Sequence, residues 1–255
     1  MKAIKTSLPS FERIEIIPLA DLHLGDIHSD FLRIKATLKY IEETPNAYCI
    51  LNGDLMDCAI QSSIGDTYGA NLQPMEQLKQ CVHIFEPIKD KILCVTPGNH
   101  EHRIYKTDGL DITELMCHQL GIVDKYSPTT ALLFIRFGSE QIHKRPMCYT
   151  AYVTHGTGGG RREGGKINRL ADLANIVDAD IYIHSHTHLP AVFKLNFFRP
   201  NMGNSSVAEV TKLFVNTASA LSYGGYGDAQ GYKPATKDNP IIYLYNGKKK
   251  MTAEL

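Results

Sequence analysis

The chain carries no excess of either charge: lysine plus arginine equals aspartate plus glutamate over its 255 residues. A global electrostatic pull toward nucleic acid or a membrane surface is thereby excluded, and affinity for an anion has to come from a local site. No CxxC pair occurs among the six cysteines, Cys49, Cys58, Cys81, Cys94, Cys117 and Cys148, which fall mostly inside apolar runs. That argues against disulfides and against a cysteine zinc site, and for buried free thiols in a reducing compartment. No apolar stretch approaches the length needed to span a bilayer, and Met1 to Ser10 has two lysines with no continuous apolar segment behind them. No repeat period or low-complexity tail is present. The expectation is a soluble, cytoplasmic protein with one domain over residues 1–255, a length sufficient for one large core.

What is present is a recurring arrangement. Ile14 to Ala20 is a short β-branched run that stops at Asp21-Leu22-His23, and it reads as a strand ending in a loop. Ser29 can cap a helix carrying Phe31, Ile34, Leu38 and Ile41 at helical spacing, with Pro45 just past its end. Ala47 to Leu51 is a second buried strand and exits into Asn52-Gly53-Asp54-Leu55-Met56-Asp57. After a polar stretch from Gln61 to Gln73, read as a surface loop, Met75, Leu78, Val82 and Phe85 describe a helix closed by Pro87. Ile92 to Val95 is a third strand, ending in Pro97-Gly98-Asn99-His100-Glu101, and Asp111 opens a helix with Glu114 placed as in a capping box and Gly121 as its stop. Strands follow at Ala131 to Phe137 and Met147 to Thr154, the second leading into His155-Gly156. The glycine-rich run Thr157 to Lys166 then precedes a helix through Leu170, Leu173, Ile176 and Val177. A strand over Asp180 to Ile183 runs into His184-Ser185-His186-Thr187-His188, and strands at Ala191 to Phe198, Val207 to Val215 and Ile241 to Tyr245 complete the pattern. Alternating strands and helices, then mostly strands, predict an α/β fold of two packed mixed sheets with helices on the outside.

Five separated segments therefore end a strand with metal-capable side chains: Asp21 and His23, Asp54 and Asp57, Asn99 and His100, His155, and His186 with His188. Alternate residues of a strand project the same way, so one strand end can aim two imidazoles at one spot. Imidazoles, carboxylates and an amide oxygen together suit manganese, iron, zinc, cobalt or nickel and disfavour calcium. There are too many ligands for one ion. Two ions ~3.5–4 Å apart, sharing one carboxylate, use them all and clamp the attacking and leaving oxygens of a displacement at phosphorus.

The run Asp-x-His, Gly-Asp-x-x-Asp, Gly-Asn-His-Glu, His-Gly and His-x-His, from Ala20 to about Ser219, resembles the calcineurin-like metallophosphoesterase superfamily. The resemblance implies a four-layer αββα sandwich and two divalent cations, with manganese preferred. It implies that Asp21, His23, Asp54 and His188 hold the first cation and that Asp54, Asn99, His155 and His186 hold the second, with Asp54 as the bridge. His100 matches the family's histidine that contacts the phosphate and protonates the leaving oxygen after in-line attack by a metal-bridging hydroxide, and Asp57 matches the acid that orients it. Two departures stand out: Ser185 replaces the usual glycine before the paired histidines, and Asn216-Thr217-Ala218-Ser219 replaces Asn-x-Gly-Ser. Both are expected to reshape the floor of the cleft without removing a ligand.

The substrate expected from this resemblance is a phosphodiester, with nucleic acid or a nucleotide preferred, and no membrane partner. Arg103, with its bidentate fork, and His102 are read either as reaching a substrate phosphate or as solvated surface, with the first preferred. Thr157 to Lys166 is either a flap that brings Arg161, Arg162 or Lys166 to a polyanion or a flexible linker. Tyr223, Tyr226 and Tyr232, in the loop from Ser219 to Pro240, either stack on bases or pack within the loop, and the second is preferred. His184 is read as a packed or outer-sphere neighbour rather than a ligand. His28, His83, His118 and His143 receive no role. Two rivals remain: a phosphomonoesterase, toward which Glu101 leans because many diesterases carry aspartate there, and a non-catalytic scaffold.

Overall fold

The computed structural model describes residues 1–60, 71–138, 146–158, 160–229 and 231–255. Most of the loop expected over Gln61 to Gln73 lies outside the described residues, as do His143 and the side chain of Tyr226. Two mixed sheets form the centre. The five-stranded sheet contains β2 (Arg13–Leu19), β3 (Ala47–Asn52), β4 (Ile92–Thr96), β10 (Ile241–Tyr245) and β11 (Met251–Glu254), in the order β11-β10-β2-β3-β4. The six-stranded sheet contains β1 (Lys2–Ser7), β5 (Ala131–Phe137), β6 (Met147–Val153), β7 (Ile181–His184), β8 (Ala191–Asn201) and β9 (Ser206–Asn216), in the order β1-β5-β6-β7-β9-β8. Helices α1 (Phe31–Glu43), α2 (Pro74–Phe85), α3 (Asn99–Asp108) and α4 (Ile112–Leu120) follow the early strands; α5 (Glu163–Asp172) and the short α6 (Gly225–Ala229) come later.

Strand alternation sorts the core into layers. In β2 and β3, Ile17, Leu19, Cys49 and Leu51 pack against α1, α2 and α4 through Ile34, Leu38, Ile41, Leu78, Phe85, Met116 and Leu120. Their neighbours Ile14, Ile16, Tyr48 and Ile50 point the other way, onto Leu133, Ile135, Ala151, Ile181 and Leu213 of the second sheet. The outer face of that sheet, through Tyr152, Tyr182 and Phe214, meets Leu170 and Leu173 at the end of α5. The result is the expected αββα sandwich, with near-continuous apolar strands because both faces are covered. Pro18 is compatible with the interior strand β2 because β10 pairs only as far as Ile16 and leaves that edge free beyond it.

Several local expectations are corrected. Asp30, not Ser29, caps α1 by accepting from the backbone N–H of Arg33, while the Ser29 hydroxyl donates to the Leu22 carbonyl. Glu163 to Lys166, expected in a loop, form the first turn of α5, and that helix stops at Asp172, before Ile176 and Val177. A 3-10 turn over Leu173–Asn175 ends it and leaves Ile176 exposed. Strands β1 and β11 and helix α3 are additional to the sequence reading. Among the described residues, no helix is long and apolar enough to cross a membrane.

Candidate metal centre

Strands β2, β3 and β4 are parallel, as are β6, β7 and β9, so their carboxyl ends lie on common edges, where α/β sheets place their ligands. Asp21 and His23 leave β2, Asp54 and Asp57 leave β3, Asn99 and His100 begin α3 just after β4, His155 leaves β6, and His186 and His188 leave β7. All meet. His188 Nε2 lies 3.1 Å from Asp21 Oδ1 and 3.5 Å from His23 Nε2. His155 Nε2 lies 3.3 Å from Asp54 Oδ2 and 3.2 Å from Asn99 Oδ1, and its ring is 5.3 Å from that of His186. Three groups have ligand atoms close enough to hold a cation: Asp21, His23 and His188; His23, Asp54 and His100; and Asp54, His155 and His186. His23 and Asp54 link them into one chain of sites.

The backbone is distorted to achieve this. Asp21, His23, Asp54, His186 and His188 have φ of 51°, 48°, 49°, 67° and 53°. A left-handed conformation costs an L-residue roughly 1–2 kcal/mol, and strain of this kind persists where surrounding contacts over-determine it. Those contacts are buried hydrogen bonds. Asn52 donates to the Thr154 carbonyl and the Ser185 hydroxyl at 2.8 and 2.6 Å and accepts from the Thr96 hydroxyl at 2.7 Å, tying β3, β4, β6 and β7 together. Ser219 donates its hydroxyl to the Asp21 carbonyl, and the Thr187 hydroxyl accepts from Asn216. Gly53 and Gly98 are required at their crossing, since a Cβ on Gly98 would fall 2.1 Å from Asp54 Oδ1 and one on Gly53 would meet Gly98 at 2.6 Å.

Glu101 is the centre of this scaffold. Its buried carboxylate accepts from the backbone N–H groups of Asp54, Met56 and Gly98 at 3.0, 2.9 and 2.8 Å. It holds the loops that carry Asp54 and Asn99 from within. Ser185 likewise receives an explanation: its hydroxyl serves Asn52, and it lies outside the left-handed positions, so glycine is not needed there. His184 is buried with Nδ1 2.8 Å from Asn216 Oδ1, a packed position outside the three cation-sized groups. Asn52, Thr96 and Glu101 carry no metal-ligand pattern in the sequence, and the signal for them is their position beside the strand-exit motifs.

His100 and Arg103 stand one helical turn apart on α3. His100 Nδ1 donates to Asp57, whose carbonyl oxygen is at 2.8 Å and Oδ1 at 3.1 Å, and Arg103 Nη2 approaches His100 Nε2 at 2.9 Å. The other expected cations lie differently. Lys166 donates to the Thr187 carbonyl at 2.8 Å, Arg161 stands over the Tyr232 ring, and Arg162 precedes α5 as its N-cap residue.

Burial and charge set the protonation of the cluster. Burial lowers His23 to about 3, helped by the charge of His100, and lowers His186 to about 4, helped by His155. Burial opposes the proton on His155 as well, but Asp54, and then Asp21, raise it to about 10. Asp54 is held well below its ordinary value because His155, His100 and His23 outweigh its burial. Among the described residues, buried His23 Nδ1 has no hydrogen-bond partner, which buried polar atoms rarely tolerate, and buried Asp21 Oδ1 faces His188 Nε2 at 3.1 Å. His155 donates Nδ1–H to the Asn52 carbonyl at 2.7 Å, which fixes the ring with Nε2 toward Asp54 and Asn99. The neutral imidazoles of His23 and His186 and the shared carboxylate of Asp54 fit divalent cations.

A ligating imidazole has to be neutral, so at pH 7 a cation entering beside His155 must displace a proton from its pair with Asp54. Loading with manganese is expected to release that proton, and apparent affinity to rise with pH up to about 10. Calorimetry in two buffers of different ionisation enthalpy measures it, and equal heats in both would refute it. In the metal-free protein the folded value of His155 lies above the ordinary 6.5, so its stabilisation is full below pH 6.5 and is lost as pH rises through about 10.

A family model described as calcineurin-like phosphoesterase matches residues 22–190. No curated protein sequence matches the chain significantly. Among solved structures, the chain is similar to a predicted phosphoesterase from Streptococcus pneumoniae, with 14% identity over 96% of this chain and 100% of that one and a TM-score of 0.39. It is also similar to Vps29 from Entamoeba histolytica, solved with zinc, with 13% identity over 94% of this chain and 98% of that one and a TM-score of 0.40. The family match takes in every strand exit from His23 to His188, and on it the chain belongs to the calcineurin-like phosphoesterase family.

Proposed function

We propose that the protein is a binuclear metal-dependent phosphodiesterase acting on nucleic acid or a nucleotide. The observation that carries this reading is the chain of three cation-sized groups linked through His23 and Asp54, with His100 in the middle one. Asp21, His23, Asp54 and His188 would hold one divalent cation and Asp54, Asn99, His155 and His186 the other, manganese first and iron, zinc, cobalt or nickel as alternatives. Bound there, such cations supply an activated water at neutral pH and neutralise charge on the phosphoryl oxygens.

The chain's own residues do the rest. Asp57 accepts from His100 Nδ1, which fixes the ring with Nε2 toward Asp54 Oδ2 at 3.8 Å; as the residues stand Nε2 accepts from Arg103 at 2.9 Å, and it takes up a proton once Arg103 turns to the substrate. Burial works against that proton, yet Asp57 and Asp54 together raise His100 above its ordinary value. His100 is then the general acid, delivering the Nε2 proton to the departing oxygen, while Arg103 turns its fork onto a phosphoryl oxygen. One guanidinium beside the acid matches the single charge of a diester.

Parallel turnover of an aryl phosphomonoester and its bis-aryl diester with added manganese tests the reading, and a strong preference for the monoester overturns it. His100→Asn is expected to lower kcat by about 10²–10⁴-fold with metal content unchanged. Arg103→Ala is expected to lower kcat/KM by about 10–100-fold, with Arg103→Lys restoring part of it, since a hydrogen bond to a charged group contributes about 1.5–3 kcal/mol. An unaltered rate in the His100 variant would end the catalytic reading.

A further inference from the structure

Beside the candidate metal centre lies a cavity of about 370 Å³, between Gly158 and Gly160 on one side and the exposed flank of α5 on the other. It is within the size range of small-molecule sites. Its walls are the backbone of Gly158, Gly160 and Gly165 and the side chains of Lys166, Asn168 and Arg169, with Asp172 also on its lining. The two cations are anchored, and on backbone. Lys166 donates to the carbonyl of Thr187, the residue between the two histidines of the His-x-His motif, at 2.8 Å. Arg169 donates to the carbonyl of Thr157, two residues past His155, at 3.2 Å. Its guanidinium lies so close over Gly158 that a Cβ there would fall 2.3 Å from Cζ, and Gly158 has φ of 101°, so the glycine is what lets the fork lie flat. The nearby Glu163 carboxylate is engaged by Lys233 at 2.7 Å. One wall of the cavity therefore presents two positioned positive charges whose anchoring hydrogen bonds run to carbonyls, and both anchors are within two residues of proposed metal ligands.

We propose that this cavity is a second anion subsite, holding a phosphate group that flanks the scissile one. It rests on the phosphodiesterase reading and narrows it: the substrate carries at least two phosphates in succession. Arg169 and Asn168 have donors of the kind that bind phosphate oxygens, and Lys166 adds a point charge between the subsite and the metal centre. The flanking phosphate has two sources, an internal phosphate of a strand or a terminal phosphate group.

The test compares three substrates with the manganese-loaded enzyme: a bis-aryl phosphodiester, which has no second phosphate; TpTpT, whose second phosphate is internal; and pTpT, whose second phosphate is terminal. Arg169→Ala is expected to lower kcat/KM for TpTpT or pTpT about 10–100-fold relative to the same variant's value for the aryl diester. Whichever dinucleotide or trinucleotide suffers the larger loss identifies the source. Arg169→Lys should recover part of the ratio, and Arg169→Ala should flatten the salt dependence of oligonucleotide binding by about one counterion. A fall of equal size on all three substrates would mean that Arg169 merely holds the Thr157 segment, and no fall on either nucleotide would also refute the subsite. If the wild-type enzyme turns over no diester at all, the phosphodiesterase reading fails separately. The subsite is then decided by binding of TpTpT and pTpT to wild type and variant: at least tenfold weakening of either supports it, and equal affinities refute it.

Discussion

Replacing Glu101 by alanine is expected to lower the melting temperature by at least about 6 °C, from a loss of about 3–9 kcal/mol. The side chain is 2% exposed and makes no contact with a substrate cleft, yet three backbone N–H groups converge on its carboxylate. Deleting it leaves all three buried donors without a partner, and each such orphan costs about 1–3 kcal/mol. Two of those donors belong to Asp54 and Gly98, whose backbones meet at the crossing that forms the metal floor. Metal content should therefore fall with stability, even at temperatures where the variant remains folded. Glu101→Gln keeps the size and one acceptor oxygen but turns an amide group toward at least one N–H, so its loss should be smaller. The order wild type, glutamine, alanine in thermal unfolding is the result that supports this account. Equal stability of all three would show that the N–H groups find other partners.

The strand exits were legible because the apolar strands end abruptly in polar, metal-capable residues, a contrast that survives without any knowledge of pairing. The two sheets and their outer helices followed from the same contrast, since Ile14 to Leu19 and Ala47 to Leu51 are apolar on both faces and need cover on both. Helix α3 was illegible for the opposite reason. Its interior-facing residues are Glu101 and Ile104, so it has no apolar stripe, and its start is set by the hydrogen bond from Gly98 to Glu101. Strand β1 buries Ile4 and leaves lysines on a sheet edge, which carries too little periodicity to be seen. The polar scaffold was hidden because its bonds are long-range: Asn52 reaches Ser185 and His184 reaches Asn216, and nothing local reports such partners. Left-handed φ at five proposed ligands was equally invisible, although aspartate and histidine tolerate it better than most residues.

Asp54→Asn should have the largest effect on chemistry, a fall of at least ~10³-fold in kcat/KM, about 4 kcal/mol, together with loss of bound metal. Asparagine is the informative replacement because it tolerates the left-handed backbone at this position, φ 49°, and can still accept the His100 backbone N–H that Asp54 Oδ1 accepts at 2.9 Å. The variant therefore keeps the shape of the loop and removes the charge. That charge belongs to two of the three cation-sized groups, through an Oδ2 that lies 3.3 Å from His155 Nε2 and 3.8 Å from His100 Nε2. Without it, His155 loses the largest influence that raises it to about 10, so the proton released on metal loading at pH 7 should largely disappear as well. Three readouts then move together: metal content, turnover and proton release. A variant that kept full metal content and rate would show that the carboxylate is structural, because the conformation it supports is the one feature asparagine preserves.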